Sequence, residues 1–142
     1  MTTVHTLASG STGNALLLSC GESHILLDAG ISCRRVTAAL RELGLEPGSL
    51  SAILITHTHA DHISGLQTLL KRCGAPLFAT ERAGRELAWR LPDAEARLEV
   101  LDFGAPRSIG DVVVTAVPTS HDAPGSCGFR LDTADGAVGV LT

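Results

Sequence analysis

A run of potential metal ligands directly after a buried strand constrains this sequence more than any other feature. Residues 52–55 are Ala-Ile-Leu-Ile, and the absence of polar alternation is typical of a strand buried on both faces. The residues that follow place His57, His59, Asp61 and His62 within six positions. Imidazole nitrogens and carboxylate oxygens bind zinc and similar divalent ions. The pattern therefore predicts a metal site at the end of this strand.

The spacing of these ligands distinguishes two backbone conformations. On an α-helix, side chains two positions apart diverge by about 200°, so His57 and His59 could not share an ion there. On an extended segment the same two side chains lie on one side and can bind one ion. Asp61 and His62 can then face a second ion where the chain turns into a helix. The alternative interpretation is a helix N-terminus with Asp61 as its N-cap and the histidines on the surface.

The surrounding pattern alternates between strand and helix periodicity. Ser32 and Gly44 are plausible start and stop signals for a first helix, and Gly74 ends a second one. The second helix carries on one side the apolar residues Ile63, Leu66, Leu69, Leu70 and Cys73. Thr80 can cap a third helix that Pro92 stops. The expected strands are 3–9, 15–20, 24–28, 52–55, 77–79, 98–101, 111–117, 127–132 and 137–141.

Length and composition limit the class of protein. The 142 residues are expected to form one domain, 1–142. A net charge of −4 and 3% aromatic residues argue against a polybasic nucleic-acid binder and against a base-stacking sheet. No apolar run approaches the roughly 20 residues of a membrane span. The four cysteines are scattered without a CxxC pair, which predicts reduced thiols in a cytoplasmic protein.

The segment at positions 56–62, Thr-His-Thr-His-Ala-Asp-His, resembles the HxHxDH signature of the metallo-β-lactamase superfamily. Residues 25–30 are similar to the family's strand that ends in Asp-x-Gly, and residues 118–123 to its later strand end with a metal-binding histidine. The opening segment 8–14 and residues 120–123 resemble the WalJ/YycJ-like branch. The resemblance implies an α/β fold with mixed sheets, the αββα sandwich of this superfamily.

The same resemblance implies a set of metal ligands. His57, His59 and His121 would hold a first divalent ion, and Asp61 and His62 a second. Zinc, manganese and iron are all compatible with these donors. The family's bridging Asp and last His have no counterpart before Thr142. We therefore expect a C-terminally truncated chain, the N-terminal half of the sandwich with the start of the second half.

The activity implied is metal-dependent hydrolysis, with Asp61 binding the second ion and orienting the nucleophile. The branch resemblance favours a phosphodiesterase or DNA exonuclease, so DNA or another phosphodiester is the expected partner. A thioesterase or lactonase on the same fold is the first alternative. The second is an inactive metal-binding fragment, whose uncovered sheet face would cause self-association.

Two further positions remain open to more than one interpretation. Asp28 ends an apolar strand, and is either a turn residue or an acceptor that orients the loop of residues 57–62. Residues 10–14, Gly-Ser-Thr-Gly-Asn, are either a plain hairpin turn or a cradle for phosphate formed by backbone N–H groups.

Overall fold

The computed structural model describes residues 1–119 and 126–141. In that part of the chain, the larger of two sheets is six-stranded, in the order β1-β2-β3-β4-β5-β6. Its first three strands form an antiparallel meander, and β3 to β6 run parallel. These strands are β1 (Thr2–Ala8), β2 (Ala15–Cys20), β3 (Ser23–Leu27), β4 (Ala52–Leu54), β5 (Leu77–Ala79) and β6 (Leu98–Val100).

The second sheet is antiparallel throughout, with its described strands in the order β10-β9-β8-β7. They are β7 (Arg107–Ile109), β8 (Val112–Pro118), β9 (Cys127–Thr133) and β10 (Gly136–Val140). The short turn between β9 and β10 makes the hairpin expected from residues 133–136.

Helices follow the strands of the parallel part of the first sheet, as βαβ connections require. They are α1 (Cys33–Glu42), α2 (Ala60–Ile63), α3 (Leu66–Leu70) and α4 (Glu81–Arg90). The Ser32 side chain accepts a hydrogen bond from the Arg35 backbone N–H at 3.2 Å, which confirms the expected start of the first helix. None of the helices in the described ranges is both long and apolar enough to cross a membrane.

Two hydrophobic clusters divide the molecule into layers. Alternate residues of the central strands point to opposite faces, so Leu26 and Ile53 pack with the helices, whereas Ile25 and Leu54 pack with the second sheet. The helix layer supplies Val36, Leu40, Leu66, Leu69 and Leu87, and the second sheet supplies Val112, Val114, Phe129 and Leu131. The layers are helices, first sheet and second sheet, a mixed α/β architecture as the sequence predicts.

The prediction of a single helix from the apolar residues between 63 and 73 is wrong in one respect. The structure divides it into α2 and α3, with Ser64 and Gly65 between them. Gly65 donates its N–H to the Ala29 carbonyl at 2.8 Å. A Cβ at this position would lie 1.8 Å from the Ile31 carbonyl oxygen. The chain therefore breaks its helix where it crosses the segment that follows β3.

Candidate metal centre

The histidine-rich segment lies where β4 ends, at the carboxyl edge of the parallel strands. Thr56, His57 and Thr58 are buried although they are polar. The Thr56 carbonyl accepts a hydrogen bond from the Cys127 N–H at 2.8 Å, which ties the segment to β9 of the second sheet. On the other side, Arg90 Nη1 at the end of α4 donates to the Thr58 carbonyl at 3.0 Å. Both sheets and a helix thus fix this segment.

The structure brings together three of the expected ligands. One ligand atom from each of His57, His59 and Asp61 lies within 4.8 Å of the other two. The rings of His57 and His59 meet edge to face with centroids 4.9 Å apart, and His59 has extended backbone angles. The extended conformation is therefore the one adopted, and His59 rather than Asp61 is the N-cap of α2. Two imidazoles and a carboxylate at this separation fit a divalent cation.

His62 joins this cluster from the first turn of α2. Its ring lies 3.7 Å from that of His57, and its Nε2 is 3.4 Å from Asp61 Oδ2. Its Nδ1 is 2.6 Å from Asp28 Oδ2, a distance at which the ring N–H donates to the carboxylate. In the neutral ring with its N–H on Nδ1, the lone pair is on Nε2, the nitrogen that faces Asp61 and could bind an ion.

Asp28 combines the two interpretations that the sequence left open. Its φ of 64° turns the chain after β3. Its carboxylate accepts hydrogen bonds from the Thr56 backbone N–H at 2.8 Å and from the Thr56 hydroxyl at 2.7 Å, besides that of His62. Burial raises the pKa of the Asp28 carboxyl, while His62 and Thr56 oppose that rise. One buried carboxylate thus holds both the backbone and one imidazole of the segment 56–62.

Cys127 lies next to this network, where β9 begins. Burial, with a smaller contribution from the charge of Asp28, raises the pKa of Cys127 to about 12. The thiol of the metal-free chain therefore keeps its proton near neutral pH. The donors that geometry brings together in the described residues are His57, His59 and Asp61.

Asn14 lies in the site, although the sequence predicts for residues 10–14 only a hairpin turn or a phosphate cradle. Its side-chain Nδ2 lies 3.2 Å from Asp61 Oδ2 and 3.3 Å from His62 Nε2. The turn of residues 10–14 joins β1 and β2 as expected. The signal available in the sequence was an asparagine after Gly13, which is equally common in turns without a function.

The remaining predicted ligand, His121, lies outside the described residues. Its assignment therefore stays a prediction, as do the ligand roles of the residues brought together here.

Comparisons with known proteins agree on a family. The family model of the metallo-beta-lactamase superfamily matches residues 8–138. Exodeoxyribonuclease WalJ of Streptococcus pneumoniae is 33% identical over 96% of this chain and 52% of its own length. Exodeoxyribonuclease YycJ of Bacillus anthracis is 36% identical over 82% of this chain and 45% of its own. The chain thus spans about half the length of the curated relatives it matches.

Solved structures give the same result for the fold. Rm3 metallo-beta-lactamase superposes with a TM-score of 0.78 at 25% identity, covering 96% of this chain and 56% of that protein. A variant of the metallo-beta-lactamase from Cronobacter sakazakii superposes with a TM-score of 0.82 at 23% identity, covering 94% and 57%. The expected fold is therefore confirmed for the half of the sandwich that this chain spans.

Proposed function

The chain belongs to the metallo-β-lactamase superfamily, and from this premise we propose that it forms the metal-binding part of a hydrolase that cleaves phosphodiester bonds in DNA. The observation that carries the proposal is the convergence of His57, His59 and Asp61, whose ligand atoms lie within 4.8 Å of one another. A cluster of this kind at the carboxyl edge of a rigid sheet suits catalysis better than a structural role.

The proposed site holds two divalent ions. His57 and His59, with His121, would bind the first, and Asp61 with His62 Nε2 the second. Zinc, manganese and iron all accept such donors. When bound, such ions lower the pKa of water and stabilise the negative charge that develops on the attacked group.

The chain's own residues prepare this chemistry. Asp28 keeps the proton of His62 on Nδ1, so that Nε2 stays available to an ion. Thr56 donates two hydrogen bonds to the same carboxylate and thereby fixes the start of the segment. Asp61 is half-buried, and its carboxylate can orient the attacking water.

DNA is the proposed substrate because two relatives at 33% and 36% identity are exodeoxyribonucleases. The reducing cytoplasm is the proposed location, since Cys20, Cys33, Cys73 and Cys127 are all free and buried. Self-association is also expected, and light scattering over a range of protein concentrations tests it.

The test of the proposed function is degradation of end-labelled DNA by the purified protein with added Mn²⁺ or Zn²⁺. We expect nucleotides to be released only with metal, and the His59→Ala variant to lose activity on the order of 100-fold or more. His5→Ala, a histidine on β1 outside the cluster, should retain activity. Hydrolysis of thioesters or lactones with no release of nucleotides would overturn the assignment of DNA as substrate.

A further inference from the structure

Asn14 occupies a position in the candidate metal centre that its place in a turn does not explain. We propose that Asn14 is a positioning residue for the second ion, whose side-chain amide makes Asp61 and His62 converge. This inference rests on the two-ion site of the proposed function.

The orientation of the Asn14 amide follows from its partners. Its Oδ1 accepts from the Gly10 N–H at 3.2 Å, which directs Nδ2 inward. Nδ2 lies within 2.8–3.3 Å of the Gly10 and Asp61 carbonyls, Asp61 Oδ2 and His62 Nε2. In the neutral tautomer whose Nδ1–H donates to Asp28, His62 Nε2 accepts from Asn14. One amide therefore touches the proposed donor atoms of both Asp61 and His62.

The backbone of Asn14 is fixed independently of its side chain. Its N–H donates to the Asp61 carbonyl at 2.7 Å, and its carbonyl accepts from the Gly30 N–H at 2.8 Å. This packing leaves no room at Gly30, where a Cβ would lie 1.7 Å from the Asp61 carbonyl oxygen. The amide is consequently held in place before any ion binds.

The helix geometry explains why such a residue is needed. Asp61 and His62 are consecutive on α2, and consecutive helical side chains diverge by about 100° rather than facing each other. Yet Asp61 Oδ2 and His62 Nε2 lie only 3.4 Å apart. Asn14, at the end of the connection between β1 and β2, contacts both atoms through its Nδ2. When an ion takes the Nε2 lone pair, the amide still has Asp61 Oδ2 and the Gly10 carbonyl as acceptors.

Calorimetric titration of the metal-free protein with Mn²⁺ tests the inference without measuring activity. We expect the wild-type protein to bind two ions. Asn14→Ala should bind the first with unchanged affinity and the second 10–100-fold more weakly, which is the usual loss when a residue that orients a ligand is removed. Thr12→Ala, an exposed position on the same turn, should behave as wild type.

Three results would overturn the inference: a second ion bound equally well by Asn14→Ala, both affinities lost together, or a wild-type protein that binds only one ion. Loss of both affinities would assign Asn14 to the stability of the site as a whole. If wild type binds two ions and Asn14→Ala loses only the second, while neither degrades DNA, the proposed function fails and the role of Asn14 stands.

Discussion

At the scale of single residues, the site depends on a buried hydrogen-bond network as much as on its histidines. Asp28 is 3% exposed and receives three hydrogen bonds, two from Thr56 and one from His62. A buried carboxylate with this many partners is costly to alter, because each donor would be left unpaired. The network therefore sets both the stability of the segment 56–62 and the proton position on His62.

Replacing Asp28 by Asn tests this role of the carboxylate. An asparagine has a single acceptor oxygen, so either His62 Nδ1–H or the Thr56 N–H loses its hydrogen-bond acceptor. We therefore expect metal affinity to fall 10–100-fold. Asp111→Asn is a matched control, since Asp111 accepts from Ser23 at the opposite end of β3. Competition with a chelating dye measures the affinities. Equal affinity in wild type and the Asp28→Asn variant would contradict the prediction.

Cys127 makes the free energy of unfolding depend on pH in the alkaline range. Burial raises the pKa of the thiol to about 12 in the folded chain, whereas the unfolded chain has the ordinary cysteine value of 9.0. Below pH 9 the thiol is protonated in both states, and above it the unfolded chain releases its proton first. Stability should therefore fall as pH rises from 9 toward 12, by on the order of 4 kcal/mol.

Urea unfolding at a series of pH values measures this effect. Cys127→Ala should show a smaller alkaline decline than wild type, whatever its stability at pH 7. Cys73→Ala removes a buried thiol from the helix layer instead, and should keep the decline. Parallel curves for wild type and Cys127→Ala would refute the assignment.

At the scale of elements, the junction between α2 and α3 places the segment 56–62 against the turn after β3. Gly65 has no room for a side chain there, whereas a Cβ at Gly74 would meet nothing within 4 Å. We expect Gly65→Ala to destabilise the fold by about 2 kcal/mol or more, lowering Tm by roughly 5–10 °C. Gly74→Ala should change Tm little. Similar melting curves for both variants would contradict this account of the junction.

The same junction shows what periodicity can and cannot predict. The apolar positions from Ile63 to Cys73 fit one helix, because periodicity reports which side is buried and not whether the backbone is continuous. Gly65 breaks the helix through a contact with Ala29, more than 30 positions away, which no local pattern contains. β7 was not predicted, since of its three residues only Ile109 is buried.

The candidate site was likewise predictable only where a local pattern determines it. The extended spacing of His57 and His59 was predictable from their alternation after a strand, and the structure agrees. The contacts of Asp28 and Asn14 were not, because each joins residues distant in sequence across the sheet edge. For Asp28 the sequence predicts either a turn residue or a hydrogen-bond acceptor, and in the structure it is both.

At the scale of the whole molecule, the two hydrophobic clusters explain what positions the segment 56–62. The strand before it, β4, contributes Ile53 to the helix side and Leu54 to the second sheet. Burial on both faces fixes the register of that strand, and with it the point where His57 emerges. The order of layers follows from these alternating apolar residues, whereas the pairing order of the strands required the structure.

The central claim is that residues 57–62 form a cage for divalent cations. Crystals grown with Zn²⁺, measured at the zinc absorption edge, test it directly. We predict an anomalous peak about 2.0–2.1 Å from the ligand nitrogens of His57 and His59, the distance typical of zinc bound to imidazole. Imidazole rings turned apart, with no anomalous density between them, would contradict the claim.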